Sequence, residues 1–146
     1  VELMESNPDV VLVGPKGTTA NGCNAYLSKR HPSLLVLLIR GIGLKWLSLV
    51  FRKKIAEYEY HDLTGAEPFD VELISGCCMF TRTRALRDIG SFDEDFFLYF
   101  EDFDLSKRMQ TAGRVVCLPT AEIIHYGGNS SRKGAHHIKL FVQFTY

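Results

Sequence analysis

The sequence predicts an α/β domain built on a mixed, mostly parallel sheet. Three observations carry that expectation. Short apolar runs alternate with helical patterns along the chain, as a sheet flanked by helices requires. The run Val10-Val11-Leu12-Val13 is bounded by Asn7-Pro8-Asp9 and by Gly14-Pro15, which fits a strand buried on both faces. Phe69-Asp70-Val71-Glu72-Leu73 alternates, as a half-buried strand does.

Composition narrows the class. The 146 residues suffice for one domain with a sizeable core. Lys plus Arg number 17 and Asp plus Glu number 17. That balance argues against a dedicated nucleic-acid binder, which needs a basic excess. Cys23, Cys77, Cys78 and Cys117 form no C-x-x-C pair. Buried, reduced thiols in a reducing compartment are therefore expected. No signal-peptide pattern opens the chain, and its start at Val1 and stop at Tyr146 suggest a piece of something longer.

In chain order, residues 1–6 read as the end of a helix that Pro8 stops. Residues 16–24 read as a Gly-, Thr- and Asn-rich loop. Gly14-Pro15-Lys16-Gly17-Thr18-Thr19 matches a phosphate loop only weakly, because its first Gly lies too near the Lys. Residues 34–54 are the most apolar region and read as an amphipathic insertion. Arg40 and Lys45 keep its uncharged runs well below the ~20 residues of a membrane span. On a helix, Leu38, Ile42, Trp46, Leu49 and Val50 share one face, opposite Gly41, Lys45, Ser48 and Arg52. Two outcomes stay open. An interfacial helix would rest on an anionic membrane, aided by Arg52-Lys53-Lys54. A core-facing helix, broken near Gly41 and Gly43, is the slightly favoured outcome.

Residues 57–67 read as a mobile connection. After the strand at 69–73, Ser75-Gly76 marks a kink or a close approach to the backbone, and the strand resumes at 77–82. Residues 83–89 form a short helix with Thr83 as N-cap and Gly90 as left-handed stop. A second helix spans 103–111, with Asp102 at its start, Lys107 and Arg108 near its end and Gly113 closing it. Residues 114–118 form a strand ending at Pro119. Residues 121–126 form another apolar run carrying His125. A polar loop at 127–134 and the start of a helix at 135–146 complete the chain.

The stretch from Gly90 to Arg108 sets six carboxylates among six aromatics. Carboxylates need water or a cation, whereas Phe and Tyr need a core. Together they describe a wall with an apolar back and an acidic front, suited to metal binding or proton transfer. The structural alternative is a solvated turn at Asp93-Glu94-Asp95 and a helix start favoured by Glu101 and Asp102. Spacing alone weighs the two equally.

Three blocks carry a resemblance: Val71-Glu72-Leu73-Ile74-Ser75-Gly76-Cys77-Cys78-Met79-Phe80, Arg84-Ala85-Leu86, and the run from Gly90-Ser91-Phe92-Asp93 to Tyr99-Phe100-Glu101-Asp102-Phe103-Asp104-Leu105. They resemble family 2 glycosyltransferases, nearest to rhamnosyltransferase-like bacterial members. Gly113, Pro119, Ala121, His125 and Ser130 follow in the order of that group, and the segment from Asn7 to Pro15 fits upstream. Residues 29–67 match only loosely.

The resemblance implies a GT-A fold and an inverting enzyme of cell-surface polysaccharide synthesis. Its partners would be a nucleotide-diphospho-sugar donor and a glycan or lipid-linked acceptor, with Mn²⁺ or Mg²⁺ as cofactor. It gives Asp102 the role of catalytic base with Glu101 beside it, and His125 a place in the metal shell. Gly76, Cys77, Asp93 and Tyr99 are expected on the acceptor side. The location implied is cytoplasmic, with peripheral contact at the inner face of the plasma membrane. The Asp-x-Asp motif of the family would lie upstream of Val1. Residues 1–146 are therefore expected to be the C-terminal, acceptor-side part of one GT-A domain, inactive alone. Two other readings compete: a phosphoryl or nucleotidyl enzyme with a metal cage of Asp93, Asp95 and Asp102, and a non-catalytic module.

Overall fold

A computed structural model describes residues 2–42, 44–63, 65–96 and 100–126. Helix α1 (Glu2–Ser6) leads into strands β1 (Val10–Thr18) and β2 (Ser28–Lys29). Helices α2 (Leu34–Ile42), α3 (Lys45–Val50) and α4 (Arg52–Tyr58) follow. Strands β3 (Phe69–Asp70), β4 (Leu73–Ile74) and β5 (Phe80–Thr81) precede helices α5 (Thr83–Asp88) and α6 (Glu101–Met109), and β6 (Arg114–Ile124) comes last.

The α/β class and the mixed sheet are as expected. The main sheet has the order β3-β6-β1-β5. The long β1·β6 pairing is parallel, and the short edge strands β3 and β5 are antiparallel. Strands β2 and β4 form a separate antiparallel pair. Val10 to Val13 are all buried, so β1 is covered on both faces. Leu12, Val115, Leu105 and Met109 belong to one core cluster, and Met4, Val10, Val13 and Val116 to another. Each such side chain contributes about 1.5–3 kcal/mol on burial.

Several local expectations change. The loop at 16–24 begins later, because the ladder with β6 continues to Thr18. Strand β6 likewise does not end at Pro119. The register jumps from Pro15↔Leu118 to Lys16↔Glu122, so residues 119–121 bulge where Pro cannot donate to a ladder. The two expected apolar runs are thus one strand. A side chain on Gly14 would overlap Ile74, and one on Gly17 would overlap Leu27. These glycines serve close packing, which removes the phosphate-loop reading.

The apolar region is built from three short helices, α2, α3 and α4. Leu44 is extended and Phe51 is non-helical, so each interrupts the run. The core-facing expectation is overturned. Val36 and Ile39 point inward, whereas Leu38 is 61%, Trp46 61% and Leu49 71% exposed. No helix among the described residues is long and apolar enough to cross a membrane. The 57–67 segment is not a loose connection. Tyr58 is buried, and Tyr60 Oη accepts the Glu72 N–H at 3.2 Å. The Arg30 guanidinium lies 4.0 Å over the Tyr60 ring and is held at 3.0 and 2.8 Å by Asp62.

Arg82, not Thr83, occupies the N-cap of α5, without a side-chain cap bond. Its guanidinium donates to Val10 O at 2.8 Å, to Asn7 O at 3.2 Å and to Met4 O. It thereby ties α1 and β1 to the α5 region. Gly90 stops α5 with φ +86°, as expected. Gly113 does not take a left-handed stop; a side chain there would overlap Asp9 O and Val11. Among the thiols, all free, only Cys117 is buried; Cys23 and Cys77 are exposed. The loop at 127–134, the helix at 135–146 and the break at Gly43 lie outside the described residues.

Candidate active site

Helix α6 is fixed against β4 by one buried hydroxyl. Ser106 Oγ accepts the Ile74 N–H at 3.1 Å and donates to Ile74 O at 3.4 Å. Ser106 has no exposed surface. Gly76 lies two residues beyond Ile74, and Asp102 lies one helical turn before Ser106, about 6 Å back along α6. The clip therefore sets the Gly76 turn beside Asp102. The Gly76 N–H donates to Asp102 Oδ2 at 2.8 Å, and the Phe103 N–H donates to Oδ1 at 2.9 Å. A Cβ on Gly76 would stand 3.3 Å from Asp102 Cβ. Gly76 and Cys77 form a turn, neither a strand nor a bulge. The far end of α6 is held by Arg108, which pairs with Asp104 at 2.7 Å and donates to Ile89 O at 3.0 Å and Ser91 O at 2.6 Å.

Burial raises the Asp102 carboxyl above its ordinary value, and the N–H bonds from Gly76, Phe103 and its own amide pull it partly back. Burial also raises the Cys77 thiol, with Asp102 adding in the same direction. The Tyr58 hydroxyl is pushed up to about 12, chiefly by burial, so it stays a neutral phenol. Glu101 starts α6 with its Oε2 shut from solvent and without a hydrogen-bond partner among the described residues. Before it, Phe100 takes a left-handed backbone at φ 65° and meets the Phe103 ring edge-on at 5.6 Å. A bulky residue in that region costs about 1–3 kcal/mol.

Tyr58, Phe100, Glu101, Asp102 and Phe103 border a cavity of about 240 Å³. Glu101 and Asp102 enter it from α6, Lys29 from β2, Arg40 from α2 and Tyr58 from α4. Leu37, Phe100 and Phe103 supply apolar wall. Glu59 Oε1 bridges the two cations, 3.0 Å from Lys29 Nζ and 3.3 Å from Arg40 Nη1, while Oε2 meets His61 Nε2 at 3.1 Å. A larger cavity of about 390 Å³, between Lys16, Tyr26, His61 and Phe69, holds none of the catalytic, acceptor-side or metal candidates Glu101, Asp102, Gly76, Cys77, Asp93 and His125.

Of the sequence candidates, Glu101, Asp102 and Gly76 come together, with Cys77 beside Gly76. Asp93 stands apart: its Oδ1 accepts the Asp95 N–H at 3.0 Å and closes a local turn. Tyr99 lies outside the described residues. His125 follows β6, its N–H bonded to Thr18 O at 2.7 Å. Among the described residues, no three His, Cys, Asp or Glu side chains are grouped to hold a metal ion. The Asp93-Asp95-Asp102 cage is therefore not formed. Lys29, Arg40, Glu59 and Ser106 were missed from sequence. A serine between Leu105 and Met109 on a buried helical face was a legible signal for the last.

Two curated proteins match part of the chain. They are the N-acetylglucosaminyl-diphospho-decaprenol L-rhamnosyltransferases of Mycobacterium tuberculosis strains CDC 1551 / Oshkosh and ATCC 25618 / H37Rv, each 39% identical over 75 residues. The match covers 50% of this chain and 24% of each relative. The chain thus spans about a quarter of the length of the curated relatives it matches. No family model and no solved structure matches it. Over the matched half the chain is glycosyltransferase-like, and its α/β architecture with a mixed sheet is compatible with part of a GT-A fold.

Proposed function

We propose that this chain is the acceptor-side part of an inverting glycosyltransferase acting in cell-surface polysaccharide synthesis. It moves a sugar, rhamnose by similarity, from a nucleotide-diphospho-sugar to a hydroxyl of a glycan or lipid-linked acceptor. One observation carries the reading: Asp102 is anchored through both oxygens, raised by burial, and borders a cavity large enough for part of a sugar. An acceptor hydroxyl is a poor nucleophile until a base takes its proton. Asp102 accepts that proton as the oxygen attacks the anomeric carbon. The bond to the diphosphate breaks and the leaving group departs with the electron pair. A carboxylate made more basic by burial suits the task, and two N–H bonds hold it in one orientation. The unpartnered Glu101 oxygen offers an acceptor for a second sugar hydroxyl. His125 would be one ligand of a bound Mn²⁺ or Mg²⁺ ion, which would supply counter-charge to the leaving diphosphate.

A lipid-linked acceptor is met at a membrane, and the reading includes peripheral contact on the cytoplasmic face. The exposed Leu34, Leu38, Trp46 and Leu49 support it, with exposed Arg52, Lys53 and Lys54 beside them. Such a face suits an anionic lipid surface.

The test is Asp102→Asn in the full-length protein, with N-acetylglucosaminyl-diphospho-lipid as acceptor. Transfer is expected to fall about 10²–10⁴-fold while donor binding holds. Wild-type transfer by the variant removes Asp102 from the base role.

A further inference from the structure

We infer that Lys29 and Arg40 form an anion seat in the Asp102 cavity and hold a phosphate of the acceptor while its hydroxyl faces Asp102. This rests on the transfer reading above and deepens it by naming what selects the acceptor. Both cations line the same cavity as Glu101 and Asp102. They reach it from β2 and α2, whereas the carboxylates come from the start of α6. Lys29 and Arg40 share one oxygen of one carboxylate, Glu59 Oε1. Two cations on one carboxylate leave a positive surplus.

The Lys29 side chain is 13% exposed and that of Glu59 is 15%, so water screens that half of the seat poorly, while Arg40, at 49%, stands at the mouth. Both cations also lie against the Tyr58 ring, at 5.4 and 5.7 Å, which fixes their height in the wall. A cavity basic on one side and acidic on the other fits a ligand with an anion at one end and a reacting hydroxyl at the other. Arg40 sits on α2, which also carries the exposed Leu34 and Leu38. A phosphate held there has apolar surface next to it for an attached lipid. The donor also carries phosphates, so the test must separate the two sources.

Arg40→Gln in the full-length protein is the first variant, because the Arg40 side chain is 49% exposed and its loss spares the core. KM is measured for a diphosphate-linked acceptor, for a neutral alkyl glycoside of the same sugar, and for the donor. The seat predicts a KM rise of about 10- to 100-fold for the diphosphate acceptor, with kcat, the glycoside KM and the donor KM nearly unchanged. Arg40→Lys recovers part of the loss. A rise in donor KM, or equal rises for both acceptors, overturns the proposal. Titration with a short alkyl diphosphate separates the two readings. Binding by wild type and not by Arg40→Gln, without any transfer, keeps the seat and removes the transfer reading. No binding by wild type removes the seat.

Discussion

Helix α6 and the pair α2–α3 turn their apolar side chains in opposite directions. In α6, Leu105 and Met109 are sealed against the sheet, with Ser106 between them bonded to Ile74. In α2 and α3, Val36 and Ile39 are the fully buried side chains among the described residues, and Leu34, Leu38, Trp46 and Leu49 face outward. Hydrophobicity alone does not say where a helix turns its apolar face. What decides is whether a sheet face waits to be covered at the matching spacing. The α6 residues at i and i+4 find β1, β4 and β6. The insertion finds only a narrow strip and keeps a broad face unused by the described residues.

Substitutions on the two sides should break this comparison in graded fashion. Leu105→Ala leaves a cavity in the closed core, and a loss of about 2–5 kcal/mol is expected in denaturant unfolding of the full-length protein. A loss below 1 kcal/mol would mean that α6 is less tightly packed than its burial indicates. Ser106→Ala strands the buried Ile74 N–H and is expected to cost about 1–3 kcal/mol. It should also lower kcat, because the same clip aligns Gly76 with Asp102; unchanged kcat would separate the clip from the chemistry. Gly76→Ala presses a methyl on Asp102. A stability loss of about 1 kcal/mol and a roughly tenfold drop in kcat are expected, with donor KM unmoved. On the open side, Trp46→Ser with Leu49→Ser should change stability by less than about 0.5 kcal/mol. Flotation on anionic vesicles should nonetheless weaken at least ~10-fold. Full vesicle binding by that variant would assign the exposed face to something other than lipid.

The same contrast explains what the sequence showed. Strand β1 was legible because an uninterrupted apolar run between turn residues has few other uses. Asp102 and Gly76 were singled out by type and neighbourhood, but their contact was not. It depends on the turn after β4 meeting the start of α6, a tertiary juxtaposition. Pro119 was read as a strand end because its missing N–H was counted and the bulge that tolerates it was not. Lys29, Arg40 and Glu59 stayed hidden because they are far apart in sequence and meet only when α2 and α4 fold over β2. The buried Tyr58 and the bonded Tyr60 were the available warning that 57–67 was no loose connection. The insertion was read toward the core because apolar faces usually go there.

The most direct test of the account is the pH dependence of kcat for sugar transfer by the full-length protein. Burial disfavours the charged form of Asp102, so the carboxylate appears only above the range of a solvated aspartate. The account predicts a kcat that rises with pH along an acidic limb lying above that range, then levels. It also predicts that Asp102→Asn abolishes the limb together with most of the rate. A limb at the ordinary aspartate position, or one that persists in Asp102→Asn, would contradict the assignment of Asp102 as the base.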